Sequence, residues 1–140
     1  MRDDTNLFDL ISSFLSERPN RRVRIRMEVT SPAACIVAGA ESLWDAAVRS
    51  LLRSAFLVTP VDQPVEIVLR TTTDVVDLEV TDRGCGILPE DYSAVLEGPE
   101  LDDVREAIEA ASGSLSLVSS ERGTTFRLIV PTPSIAERAA

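Results

Sequence analysis

The stretch Val75–Glu90, VVDLEVTDRGCGILPE, determines how the rest of the chain is interpreted. Its first half alternates apolar and polar residues, the apolar ones being Val76, Leu78 and Val80. This period of two predicts a strand with one face on the core. The strand runs into Asp82 and then into Gly84 and Gly86, two glycines that permit a sharp turn or the close approach of another group.

Asp82 admits two interpretations. A carboxylate at the mouth of a glycine-rich turn is a fixed hydrogen-bond acceptor, suited to an amino group on a ligand. The same residue could instead cap the turn that ends its strand, which is the more common role of an isolated Asp-x-Gly-x-Gly pattern. The surrounding sequence has to decide between them.

The composition restricts both the fold and the partners. A chain of 140 residues that is 44% hydrophobic is long enough for one domain with a substantial core. No apolar run reaches the ~18 residues of a membrane helix and no signal-peptide pattern is present, so we expect a cytoplasmic protein. The formal charge of −9 argues against nucleic acid as a partner. Histidine is absent, and Cys35 and Cys85 lack a metal-ligand spacing, so we expect them to be buried free thiols.

The remaining elements follow from apolar periodicity. Expected helices are residues 6–17, 41–58 and 101–112, with a single helical turn in 90–97; expected strands are 21–29, 35–37, 64–70, 115–117 and 126–130. Strands that follow each other through a short polar turn are expected to pair antiparallel. Gly113 is expected to end the third helix. This order predicts an α+β fold, a two-layer α/β sandwich with the helices on one face of a mixed, largely antiparallel sheet.

Three segments, in this order, resemble the catalytic and ATP-binding domain of bacterial sensor histidine kinases. That domain belongs to the superfamily that includes gyrase, the heat-shock chaperone ATPases and the mismatch-repair ATPases. ESLWDAAVRSLLRSAFLVTP (41–60) lies where the family has its asparagine-bearing helix, DRGCGILPED (82–91) is similar to its adenine-binding glycine box, and ERGTTFRLIVP (121–131) is similar to its last hairpin. The resemblance covers nearly the whole chain and implies a histidine-kinase-like ATPase fold.

The resemblance also implies a set of site residues. In the family, the Asp of the glycine box accepts the adenine amino group, the two glycines let the backbone approach the base, and two asparagines hold Mg²⁺ and phosphates. Asp82, Gly84 and Gly86 match the glycine box, and Ser50 and Ser54 align with the two asparagines. The implied cofactor is ATP or ADP with Mg²⁺. Because a serine hydroxyl is a weaker metal ligand than an amide oxygen, we assign no metal ligand and no catalytic residue.

The sequence departs from the family pattern on the phosphate side. The basic residue that follows the second asparagine is replaced by Leu57, and the family's glycine-rich lid motif is replaced by EGPELDDV (97–104). This segment places carboxylates at the start of the next helix, namely Glu97, Glu100, Asp102 and Asp103. In the family, free backbone N–H groups at that helix start receive phosphates. Carboxylates in the same place would repel them.

Two functions are compatible with this combination. The first is a degenerate domain, a pseudokinase with weak or no ATP binding that acts as a docking or regulatory module in two-component signalling. The second is a functional ATP-binding domain that phosphorylates a histidine on another segment or protein, with Ser50 or Ser54 holding the metal and Arg49, Arg53 or Arg105 replacing the lid contacts. Between them lies a domain that holds adenosine or ADP as a structural or sensing ligand. A switch kinase that phosphorylates serine, similar to the anti-sigma factors, is a further alternative.

The sequence also leads to expectations about domain bounds and partners. We expect residues 1–20 to form an N-terminal helix and linker, residues 21–132 the ATPase-like domain, and residues 133–140 a frayed tail. The resemblance implies a protein partner in signalling, namely a kinase, a phosphotransfer protein or a response regulator. It also allows a homodimer. Neither nucleic acid nor a membrane is expected as a partner.

Overall fold

The computed structural model describes residues 3–133, so all of the predicted tail except Pro133 lies outside the described residues. Within this range the helices are α1 (Leu7–Ser16), α2 (Glu41–Val58), α3 (Tyr92–Leu96) and α4 (Asp102–Ala111). The strands are β1 (Asp4–Asn6), β2 (Val23–Glu28), β3 (Ile36–Ala38), β4 (Val65–Thr71), β5 (Val75–Thr81), β6 (Ser114–Ser120) and β7 (Gly123–Pro131). Each predicted helix and strand is confirmed within a few residues. The sequence analysis missed β1.

The main sheet has the strand order β2-β4-β5-β7-β6. Strands β2 and β4 run parallel, whereas the other three neighbouring pairs are antiparallel. Strand β7, the last of those described, therefore lies inside the sheet, between β5 and β6. Strands β1 and β3 form a separate antiparallel pair. The predicted mixed, largely antiparallel sheet is confirmed.

The helices cover one face of the main sheet and enclose the core. The inward residues of its central strands are buried: Val65, Ile67 and Leu69 of β4, Val76, Leu78 and Val80 of β5, and Phe126, Leu128 and Val130 of β7. Helix α2 packs on them through the two apolar rows seen in the sequence, with Trp44 and Leu52 fully buried. Leu7 and Phe14 of α1 are also fully buried, so the N-terminal helix packs into the same core. The predicted two-layer sandwich is confirmed.

The other face of the sheet is polar and is crosslinked by ion pairs between neighbouring strands. Arg70 on β4 contacts Glu28 on β2 at 2.5 Å and Glu79 on β5 at 3.1 Å. Arg127 on β7 contacts Asp77 on β5 at 2.8 Å. Alternation along each strand directs the apolar side chains to the helices and leaves these charges on the open face.

Three local predictions were wrong because tertiary context overrides the local pattern. Helix α4 ends at Ala111 and its C-cap is Ser112 rather than Gly113, with a left-handed φ of 58°. Gly113 is required instead for close packing, since a Cβ there would lie 3.0 Å from a β7 carbonyl oxygen. Ile25, expected on a buried face, is 50% exposed because β2 is an edge strand. Cys35 is buried and free as expected, but Cys85 is exposed, because it lies in the turn after β5.

Candidate functional site

Asp82 lies at the end of β5 and is 94% buried, with a relative exposure of 6%. Its Oδ1 accepts hydrogen bonds from the backbone N–H of Gly84 at 3.0 Å and of Thr124 at 3.1 Å. Its own N–H donates to the Thr124 carbonyl at 2.9 Å. Its Oδ2 accepts no hydrogen bond from any residue within the range 3–133. One oxygen therefore caps the turn while the other stays available to a ligand, so the two interpretations of this residue are compatible.

A cavity of about 440 Å³ opens beside Asp82. Most of its lining is apolar or backbone, and it consists of Ser54, Val58, Asp82, Gly84, Cys85, Gly86, Ile87, Val95, Glu100, Leu101, Thr124 and Phe126. A largely apolar cavity in which a fixed carboxylate such as Asp82 is accessible is suited to a flat, apolar ligand that carries an amino group. Of the five residues predicted from sequence, Asp82, Gly84, Gly86 and Ser54 line this cavity.

Gly84 and Gly86, the two glycines of the turn, are needed for different structural reasons. A Cβ on Gly84 would lie 3.0 Å from Cγ2 of Val58, across the cavity wall. Gly86 has a φ of +88°, and a Cβ there would lie 2.1 Å from the Ser120 carbonyl oxygen. Gly84 thus keeps the wall close to α2, whereas Gly86 is required by the turn between β6 and β7.

The β6–β7 turn holds the site together through contacts that the sequence analysis missed. Gly123, with a φ of +141°, packs so closely that a Cβ would lie 2.0 Å from the Asp82 carbonyl oxygen. Ser119 Oγ accepts the Ile87 N–H at 2.7 Å and lies 2.7 Å from Thr124 Oγ1. The only sequence signal for this arrangement is the resemblance of the segment to the last hairpin of the family.

Ser50 lies one helical turn before Ser54 and outside the cavity. It lines an adjoining groove of about 260 Å³ together with Arg53, Ser54, Leu57 and Glu100. Its hydroxyl lies 3.3 Å from Oδ2 of Asp103 and donates a hydrogen bond to it. The first of the two asparagine-aligned positions is therefore occupied by an internal contact between α2 and α4.

Carboxylates surround this end of the site. Glu100 lines the cavity, the adjoining groove and a further cleft of about 580 Å³ beside α3. Asp102 forms an ion pair with Arg105, whose guanidinium also donates to the carbonyl oxygens of Leu96 at 2.6 Å and Gly98 at 2.9 Å. Glu100 and Asp103 are thus the carboxylates that face α2.

The arginines proposed as substitutes for the lid differ in availability. Arg49 contacts Glu17 at 2.7 Å and Asp45 at 3.1 Å, and the hydrogen bond that it donates to Glu17 raises the pKa of Arg49. Arg105 is engaged by Asp102 and two carbonyl groups. Arg53 forms no ion pair within the described part of the chain and lines the groove beside Ser50.

Within residues 3–133, no group of three or more His, Cys, Asp or Glu side chains is placed to share a metal ion. None of the helices in that range combines the length and the apolar character that a membrane crossing requires.

The fold is that of histidine kinase catalytic domains. The chain is similar to the mycobacterial sensor histidine kinase MprB, at 22% identity and a TM-score of 0.78 over 94% of this chain and 97% of that one. The nucleotide-free catalytic domain of histidine kinase ThkA gives 16% identity and a TM-score of 0.78 over 94% and 97% of the two chains. Full-length ShkA in complex with AMPPNP gives 17% identity and a TM-score of 0.74 over 93% of this chain and 31% of that one.

These matches confirm the resemblance at the level of the fold, which is the histidine-kinase ATPase-domain fold. Comparison with protein-family models finds none that matches the chain, and comparison with curated proteins finds no match. Because one fold can serve several functions, the function has to be argued from the site itself.

Proposed function

We propose that this chain is a degenerate histidine-kinase-like module of bacterial signal transduction, which retains an adenine-type pocket and does not transfer phosphate. The observation that carries the proposal is the contrast between the two ends of one site. At one end, Asp82 offers a free carboxylate oxygen in an apolar cavity. At the other end, the Ser50 hydroxyl donates a hydrogen bond to Asp103, beside Glu100.

The Asp82 end supports recognition of a purine base. Oδ1 accepts hydrogen bonds from two backbone N–H groups, which fixes the orientation of the carboxylate. Oδ2 is then left to accept a hydrogen bond from an amino group. A hydrogen bond to a charged group contributes about 1.5–3 kcal/mol. Apolar side chains around it, such as Ile87 and Phe126, supply contact area for a flat ring.

The carboxylate end disfavours a triphosphate. Two like charges ~4 Å apart at an effective dielectric constant of about 20 repel each other by roughly 4 kcal/mol, and solvent lowers this at exposed positions. Glu100 and Asp103 lie where an anionic chain leaving the cavity along α2 would pass. Repulsion of this size can cancel the contribution of the hydrogen bond to the base.

The residues at the asparagine-aligned positions do not fit a magnesium site. Mg²⁺ requires near-octahedral oxygen ligands, supplied by carboxylates, water and phosphates. The Ser50 hydroxyl is already bonded to Asp103, and Ser54 lines the cavity as a single hydroxyl. We therefore propose no step that passes through a metal ion.

The proposed role is regulatory. None of the 140 residues is a histidine, so none of them can be the histidine phosphate acceptor. We propose a cytoplasmic module that docks on a signalling protein, namely a kinase, a phosphotransfer protein or a response regulator, either as a monomer or as a homodimer. ADP or adenosine bound at Asp82 would serve as a structural or sensing ligand.

The second candidate function is a working ATP-binding domain that phosphorylates a histidine elsewhere. Arg53 favours it, because this exposed arginine is free of ion pairs within residues 3–133 and lines the groove beside Ser50 and Ser54. This function requires the contact between Ser50 and Asp103 to open when nucleotide binds.

Calorimetric titration with adenosine, ADP and ATP, each with and without Mg²⁺, distinguishes the degenerate module from the working ATP-binding domain. The proposal predicts that adenosine binds at least as tightly as ATP and that Mg²⁺ has little effect. Magnesium-dependent micromolar binding of ATP would instead establish the second candidate. No detectable binding of any of the three ligands at millimolar concentration would leave Asp82 with the role of a turn cap only.

Asp82→Asn tests the base end without disturbing the fold. The asparagine Oδ1 can accept hydrogen bonds from the same two backbone N–H groups, so stability should be preserved. The second carboxylate oxygen is replaced by an NH₂ group, which donates and cannot accept the amino group of a base. Adenosine affinity should fall about tenfold or more. Unchanged affinity in the variant would contradict the proposed contact.

Charge neutralisation tests the other end. The double variant Glu100→Gln, Asp103→Asn should improve ADP binding relative to adenosine, because it removes the carboxylates that face α2. Asp102→Asn is the matched control, since its carboxylate is paired with Arg105. An equal improvement in the control would show that net charge rather than position is responsible.

A further inference from the structure

A groove of about 310 Å³ lies on the open face of the sheet, behind the cavity just described. Along the end of β5, alternate residues point to opposite faces, so Asp82 lines the cavity while Thr81 and Arg83 line the groove. The complete lining is Glu66, Thr81, Arg83, Val118, Ser119, Ser120, Arg122, Gly123 and Thr125. Two guanidinium groups and several hydroxyls thus converge on a surface of a chain whose formal charge is −9.

Arg83 has an unused donor inside the structure. Its backbone N–H donates to Thr59 Oγ1 at 2.9 Å, which fixes the position of the residue. Its Nη2 contacts Glu66 at 3.3 Å. Its Nε is buried and has no hydrogen-bond partner among residues 3–133. The side chain as a whole is 36% exposed, so the outer part of its guanidinium can donate to a ligand in the groove.

Arg122 supplies the second cation, from the turn between β6 and β7. It is exposed, and its guanidinium pairs with no residue in the described range. Its position is fixed by its neighbour, because a Cβ on Gly123 would lie 3.3 Å from the Arg83 Cα. The turn is therefore packed directly against Arg83, and both side chains line the same groove.

Hydroxyl groups complete the lining. Oγ1 of Thr81 and Oγ1 of Thr125 lie 2.8 Å apart, so one hydroxyl donates to the other and the accepting hydroxyl keeps its own proton for a further hydrogen bond. Ser120 Oγ accepts the Arg122 N–H at 3.2 Å, so its own proton is free as well. The groove offers donors throughout, and Glu66 is its one carboxylate.

We infer that this groove binds an oxyanion, either a phosphate monoester or a carboxylate. The planar fork of arginine matches both groups, because it can donate two parallel hydrogen bonds to either. Two cations against one carboxylate give the site a local positive charge. The site is separate from the cavity at Asp82 and does not depend on nucleotide binding there.

The experiment follows the arginine side chains directly by NMR. Inorganic phosphate and acetate are titrated in turn, at constant ionic strength, into the ¹⁵N-labelled chain, and the Nε–Hε signals of all arginines are recorded. We expect saturable shifts of the Arg83 signal and of the Ser120 and Gly123 amides. Saturation by phosphate alone identifies a phosphate monoester as the ligand, and saturation by acetate identifies a carboxylate.

Three variants make the assignment specific. Arg122→Gln should weaken binding about tenfold or more, since it removes charged hydrogen bonds from an exposed turn without affecting the core. Arg26→Gln is the matched control, because it makes the same change of charge at an exposed arginine of β2 that does not line the groove. Glu66→Gln should strengthen binding several-fold, because it removes the competing carboxylate and frees Arg83.

Shifts that grow linearly into the tens of millimolar, or that weaken equally in Arg122→Gln and Arg26→Gln, would mean non-specific screening and would overturn the inference. Adenosine titration of the Arg122→Gln variant separates this site from the proposed function. An unchanged adenosine affinity beside lost phosphate binding would show two independent sites.

Discussion

Replacing Gly86 by alanine tests whether the turn after β5 is fixed by its packing against the β6–β7 turn. The added Cβ would lie 2.1 Å from the Ser120 carbonyl oxygen and 2.9 Å from its carbon. Ordinary van der Waals contact requires ~3.5 Å, so one backbone segment has to move by about 1 Å or more. The atom that it meets belongs to the backbone, which cannot rotate away as a side chain can.

The expected cost has two contributions. A φ of +88° is left-handed, and an alanine there costs about 1–2 kcal/mol. Displacing packed backbone adds roughly 1–3 kcal/mol. We therefore expect the free energy of unfolding to fall by about 2–5 kcal/mol, which for a domain of this size lowers Tm by roughly 6–15 °C.

Gly84→Ala is the matched control. Its φ is not left-handed, and the added Cβ would lie 3.0 Å from Cγ2 and 3.1 Å from Cβ of Val58, so this residue at the end of α2 has to shift by only a few tenths of an ångström. We expect a cost below about 1 kcal/mol. Urea unfolding followed by the fluorescence of Trp44, the single and fully buried tryptophan, measures both variants. A Gly86→Ala variant as stable as the wild type, or a control that is equally destabilised, would refute the packing argument.

Three further results are expected. Native protein should react with a thiol reagent at Cys85 only, because burial shields Cys35 and raises its pKa; rapid labelling of both before unfolding would contradict the burial. Asp77→Asn should lower the free energy of unfolding in urea by about 1–3 kcal/mol, because it leaves two arginines without a buried partner; a neutral effect would show that these ion pairs contribute nothing. The hydrogen bond from Arg70 lowers the pKa of Glu28, so the stability that this exposed pair contributes is present above the ordinary glutamate pKa and lost as the pH falls through the lowered value. Acid titration of Glu28→Gln should therefore show a flatter loss of stability than the wild type.

Much of the fold could be predicted because its signals are local. Helix α2 begins at Glu41 and ends at Val58 as predicted, since its two apolar rows are continuous and Pro60 follows. The alternation in β5 predicted its buried face in the same way. By contrast, β1 is a polar tripeptide that becomes a strand only because β3 lies beside it, and no local pattern indicates that contact.

The site was predictable in part for a similar reason. Asp82 and its two glycines are neighbours in sequence, so one motif identifies them. The contact of Asp82 with Thr124 joins residues that are 42 positions apart, and the role of Gly123 depends on where the turn packs. The same holds for the hydrogen bond between Ser50 and Asp103, which depends on how α4 packs on α2.

The position of β7 inside the sheet has a consequence for biosynthesis. The segment Gly123–Pro131 is synthesised after β5 and β6, yet it lies between them in the sheet. Until then β5 and β6 lack their common neighbour, and a nascent chain exposes unpaired strand edges that invite aggregation. A message truncated before residue 123 should therefore yield an insoluble fragment rather than a smaller domain, and chaperone demand should be greatest just before β7 is synthesised.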